Sequence, residues 1–117
     1  MTVVNKLDKT ISVDYQNSPT PALEGNLVVF YTGDDQQIQP DSAKAISKNG
    51  GKNAWHDFIE DGKTKVLYIY VFDTDSLQTY EERLPIAVLI NQHKYIKQLR
   101  FTEDALKKAG WKITITP

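Results

Sequence analysis

The chain predicts a mainly β domain, an antiparallel sandwich-like or mixed sheet with two or three short helices in its second half, with α+β as the alternative. Three observations lead there. Short segments such as Thr10–Tyr15 and Trp111–Thr116 alternate apolar and polar residues at the strand period. The links between such segments are rich in Pro, Gly, Asn and Asp. No helical periodicity extends beyond about 12 residues. The 117 residues make one domain, 1–117, large enough to bury a core without disulfides or metal.

Val3-Val4-Asn5 and Thr10–Tyr15 flank Lys6-Leu7-Asp8-Lys9 and read as a hairpin, with Ile11, Val13 and Tyr15 inward and Thr10, Ser12 and Asp14 on a wet face. Residues 16–25, with Pro19, Pro21 and Gly25, form a surface connection. Asn26–Tyr31 reads as a third strand, apolar on both faces. A turn-rich link leads to a short strand at Ala43–Ser47, then to a glycine loop over Lys48–Asn53. Trp55, Phe58 and Ile59 have i, i+3, i+4 spacing, so a helical turn closed by Gly62 is expected.

Lys65–Phe72 is the expected central strand. Leu67, Ile69 and Val71 fall on one face and Val66, Tyr68, Tyr70 and Phe72 on the other, so both faces must be covered. Ser76–Leu84 has Leu77, Tyr80 and Leu84 at helical spacing and stops before Pro85, which disfavours helix at its predecessor. Ile86–Ile90 fits helix or strand equally. Lys97–Phe101 alternates again.

The C-terminal segment is the most explicit. Thr102 suits an N-cap, Glu103 and Asp104 occupy the first turn, Lys107 and Lys108 the last, and Gly110 follows. A helix over 103–109 is predicted, with Trp111 brought back onto Leu106 and opening a final strand through Ile113 and Ile115.

Composition excludes several function classes. Fourteen Lys and Arg against fifteen Asp and Glu leave a net charge of −1, which offers no electrostatic footprint for nucleic acid. With no Cys, thiolate-ligated zinc is ruled out. No apolar run, Val66–Phe72 and Ile86–Ile90 included, approaches the roughly 20 residues of a membrane span. Met1-Thr2-Val3-Val4 carries no secretory signature in the chain as given.

Asp73-Thr74-Asp75, after an apolar strand, is the motif closest to chemistry. Aspartate pairs in this setting serve as nucleophile and general acid in phosphoryl transfer. Asp75 with Gln78 three residues later is also a capping-box spacing, and the structural role of Asp75 is the expected one. His56 and Glu60 would share a helical face, but two donors do not complete a metal site, and His93 is distant in sequence. Asp34, Asp35 and Asp41 are turn formers beside Gly33 and Pro40. Asn49-Gly50-Gly51-Lys52 lacks the strand and the Ser or Thr of a phosphate loop. Catalytic, cofactor-binding and metal-ligating residues are therefore expected to be none, with no cofactor. Among the aromatics, Tyr31 and Trp55 stand near loops and are the candidate exposed anchors for a ligand. Thr102, Leu106, Gly110 and Trp111 are structural.

Phe72, Asp73, Asp75, Thr102, Leu106, Trp111 and Ile113 together resemble a family of small uncharacterised envelope-associated proteins of anaerobic gut bacteria, over residues 65–116. The chain departs from that pattern at Gly110 and Ile115. The resemblance implies a mostly β domain with an upstream signal or lipid anchor, and it brings no catalytic residues. Function then reads as a non-catalytic binding or scaffolding module of the cell envelope with a protein or glycan partner; the alternative is a metal-assisted phosphatase using Asp73 and Asp75.

Overall fold

The computed structural model describes residues 1–117. The strands are β1 (Thr2–Asn5), β2 (Ile11–Gln16), β3 (Ala43–Ala45), β4 (Val66–Asp73), β5 (Lys97–Thr102) and β6 (Lys112–Ile115). Five short helices are interspersed: α1 (Val28–Thr32), α2 (Ala54–Asp61), α3 (Thr74–Leu77), α4 (Ile86–Asn91) and α5 (Glu103–Lys108), with a 3-10 turn at Asp34–Gln36. The strands form two three-stranded sheets, ordered β3-β1-β6 and β2-β4-β5. All pairings are antiparallel except β1 with β6. The fold is mixed α+β with a sheet-dominated core. No helix is long and apolar enough to cross a membrane.

β4 is the central strand of its sheet and is covered on both faces, as its apolar alternation requires. Leu67, Ile69 and Val71 join Val3, Ile11, Val13, Ile113 and Ile115 in a core shared by the two sheets. Tyr68, Tyr70 and Phe72 project into a second core closed by Val28 and Tyr31 of α1, Leu77 of α3, and Ile86, Leu89 and Ile90 of α4. Each such side chain contributes about 1.5 to 3 kcal/mol relative to exposure, and two cores on one strand make it the structural spine.

Several local expectations are corrected. β1 and β2 do not pair as a hairpin, because β3 and β6 already occupy the two edges of β1. Instead Lys6–Thr10 turns a corner between sheets, fastened by the fully buried Asn5. Its amide donates to the carbonyls of Lys9 (2.8 Å) and Ile38 (2.9 Å), and its oxygen accepts the Leu7 N–H. The face of β2 read as wet is covered by the second core, so Ser12 and Asp14 are buried. Asn26–Tyr31 is not a strand. It contains α1, in which only Val28 and Tyr31, three apart, are buried, while Val29 and Phe30 are exposed. A short apolar run carries no period of its own, and here the helical period decides.

The expected helix at Ser76–Leu84 is a single turn, α3, that gives way to turns before Pro85. Ile86–Ile90 is helical, with Ile86, Ala87, Leu89 and Ile90 buried. The short strand near 43–47, the helical turn at 55–59, the strand at 97–101 and the C-terminal helix and strand occur as expected. Thr102 caps α5 by accepting the Ala105 N–H at 3.2 Å. Gly110 has φ of +66°, and the Gly110 and Trp111 N–H groups donate to the Lys107 and Leu106 carbonyls. That is the paired closure a glycine in the left-handed region permits. Leu106 is fully buried, with Trp111 packed against the same core.

Candidate functional site

The aspartate pair resolves into a structural detail. β4 runs on through Asp73, so the first unpaired helical N–H belongs to Asp75, and Asp73 Oδ1 accepts it at 3.0 Å. The cap is therefore Asp73 and not Asp75, whose side chain is exposed at the helix surface. The other oxygen of Asp73 lies 3.8 Å from Lys9 Nζ. Neither aspartate lines any of the three concavities of the molecule.

Tyr31 is likewise not an exposed anchor. It is buried, and its hydroxyl donates to Asp14 Oδ1 at 2.5 Å, while Gln16 Nε2 donates to Asp14 Oδ2 at 2.7 Å and Asn26 donates to the Tyr31 oxygen at 3.3 Å. Ser12 Oγ donates to the Tyr31 carbonyl and meets Thr74 Oγ1 at 2.8 Å. This network ties α1 and α3 to β2. Burial pushes the Asp14 carboxyl above its ordinary value despite the donors from Tyr31 and Gln16, and burial with the neighbouring Asp14 pushes the Tyr31 phenol up. Asp34, Asp35 and Asp41 stay on the surface, Asp41 paired with Lys6 at 3.4 Å.

Trp55 occupies the second turn-forming position of α2. Its ring meets Tyr15 edge-on at 4.8 Å, and Phe58 packs on Tyr15 at 5.5 Å, with Lys48 Nζ 4.2 Å above the Phe58 ring. These contacts fix the inner side of α2, with Ile59 in the core. Lys52, Asn53 and His56, from the glycine loop and the helix start, then surround a concavity of about 690 Å³ with Trp55, Trp111, Glu103 and Lys107. Both tryptophans of the chain thus border one hollow.

His56 and Glu103 meet across it. The imidazole Nδ1 lies 2.7 Å and 2.9 Å from the two Glu103 oxygens. Hydrogen bonding to Glu103, reinforced by its charge, pushes the His56 pKa up, so the imidazolium is favoured. Lys107 approaches the same carboxylate at 3.7 Å. Glu60, one helical turn after His56, completes a group of three whose ligand atoms lie within 4.8 Å of one another. The sequence pairs His56 with Glu60 by spacing alone. Glu103 reads there only as a first-turn acid of α5, because no local signal ties positions 47 residues apart. His93 stands elsewhere, with its ring 5.9 Å from Tyr95.

No family model, curated protein or solved structure matches this chain.

Proposed function

We propose that the chain is a non-catalytic binding module of the bacterial cell envelope, and that the hollow between Trp55 and Trp111 takes a sugar ring. The observation that carries this reading is the meeting of both tryptophans with Asn53, His56, Glu103 and Lys107 around one concavity. A pyranose has an apolar C–H face and a rim of hydroxyls. Flat aromatic surface matches the first, and a mixed set of donors and acceptors matches the second. The envelope setting is supported by the resemblance over residues 65–116. The phosphatase alternative requires Asp73 and Asp75 to converge on a third polar group, whereas Asp73 is engaged at the start of α3.

Intrinsic fluorescence tests the reading directly, since the two tryptophans flanking the hollow are the only ones in the chain. Titration with soluble chito-, manno- and xylo-oligosaccharides should give a saturable change in emission for at least one series. Lys52→Ala and Asn53→Ala, at exposed positions, should weaken that binding several-fold without moving the melting temperature. Emission that stays flat across the whole panel in a folded protein would sink the proposal.

A further inference from the structure

We propose that His56, Glu60 and Glu103 form a binding site for one divalent transition-metal ion of the zinc class. The argument begins with the donor set. An imidazole with two carboxylates is the combination that borderline ions such as Zn²⁺ accept, whereas Ca²⁺ and Mg²⁺ take oxygen ligands and gain nothing from the ring. Next comes placement. His56 and Glu60 are one turn apart on α2, and Glu103 opens α5 directly after β5, so all three donors stand on regular elements and none on a loose loop.

Distances agree with a shared ion. Metal–ligand bonds of about 2.0 to 2.2 Å put neighbouring ligand atoms roughly 3 to 3.5 Å apart around one centre. Here His56 Nδ1 and the Glu103 oxygens are 2.7 and 2.9 Å apart, and the three donors span no more than 4.8 Å. Ordinary rotamer adjustment of the two exposed residues, His56 and Glu60, closes the remainder. Glu103 is the better anchored partner, with its side chain only 16% exposed.

Charge favours the same occupant. Once the imidazole has released its proton to ligate, the ring and the two carboxylates sum to −2, which one divalent ion neutralises. Without an ion the counter-charges are the His56 imidazolium, 2.7 Å from Glu103, whose proton leaves when the ring ligates, and Lys107 and Lys65, 3.7 Å from Glu103 and 3.9 Å from Glu60 on long exposed side chains that can swing away. Three protein ligands leave coordination positions for water or for a ligand oxygen, and His56 and Glu103 also line the tryptophan-bordered hollow. An ion held there would offer a Lewis-acidic contact to whatever that hollow admits.

Calorimetry on the untagged chain, free of any polyhistidine segment and of added sugar, tests the ion site separately from the sugar reading. Zn²⁺ should bind with a stoichiometry of one and micromolar affinity, and bound Co²⁺ should show visible d–d bands. His56→Ala, Glu60→Gln and Glu103→Gln should each weaken binding roughly 10-fold or more, while Asp75→Asn, far from the set in the fold, should not. Far-UV circular dichroism verifies that each variant folds. Failure of the parent chain to bind Zn²⁺, or wild-type affinity in any of the three ligand variants, overturns the proposal.

Discussion

Asp73 and Asp75 stand two places apart and differ in what they hold. Asp73 accepts the Asp75 N–H while Asp75 itself is exposed, so Asp73→Ala should lower stability by about 0.5 to 2 kcal/mol and Asp75→Ala by less than about 0.5. Chemical denaturation of the two variants gives the comparison, and equal losses would contradict the assignment. The motif was legible in the sequence; which oxygen caps was not, because that depends on where the β4 ladder ends. Asp14 was less legible still, since polar residues alternating along a strand look the same whether water or a second core lies beyond them. Burial raises its folded pKa above the ordinary 3.8. The folded chain therefore keeps the Asp14 proton where the unfolded chain has released it. The contribution of this group to stability is complete below the unfolded value and declines as pH rises through the folded one. Asp14→Asn removes that decline, so the unfolding free energy of the variant should improve relative to the parent as pH is raised from about 4 towards neutrality. Paired denaturation curves across that range check the sign.

Elements were legible where their signals are local. α5 carries its own start, charge pattern and stop, from Thr102 to Gly110, and β4 announces two buried faces by apolar alternation alone. Partner choice was not legible. The strand at 2–5 looked ready for its neighbour in sequence, yet its edges are taken by residues 43–45 and 112–115. α1 stands where the sequence predicts a strand because Leu27-Val28-Val29-Phe30 is apolar throughout and only the surrounding structure chooses which residues to bury. α2 ends by a related contextual device. Gly62 follows its last turn, and a Cβ there would lie 2.6 Å from the Asn17 carbonyl oxygen, while the Asn17 amide donates to the Phe58 carbonyl. The chain after β2 is thus pressed against the end of α2 with room for hydrogen only. Gly62→Ala should destabilise by about 1 to 3 kcal/mol, an overpacking cost, although its φ of −77° is ordinary for any residue. A melting temperature equal to the parent's would show that the Asn17 loop yields freely.

Across the whole molecule, two sheets share one core and three helices close another on the back of β2-β4-β5. The candidate site lies where distant parts of the chain converge: the glycine loop, α2 and α5. This explains why composition, with no Cys in the chain, could speak to thiolate zinc but could not assemble His56, Glu60 and Glu103, whose proximity is a product of the completed fold. The parallel pairing of β1 with β6 has a mechanical consequence. The two strands run side by side in the same direction, with Thr2 N–H bonded to the Trp111 carbonyl at one end and Lys6 N–H to the Ile115 carbonyl at the other, each at 2.8 Å. Tension applied between Met1 and Pro117 therefore drags the strands past each other and loads the ladder in shear, so its hydrogen bonds must fail together. Tension between Met1 and Lys112 pulls on neighbouring ends and unzips the same bonds singly. The chain contains no Cys, so single introduced thiols define both geometries, and single-molecule pulling should record a clearly higher unfolding force for the first. Linked end to end under load, this domain would behave as a clasp, strong along its length and easily peeled from one side.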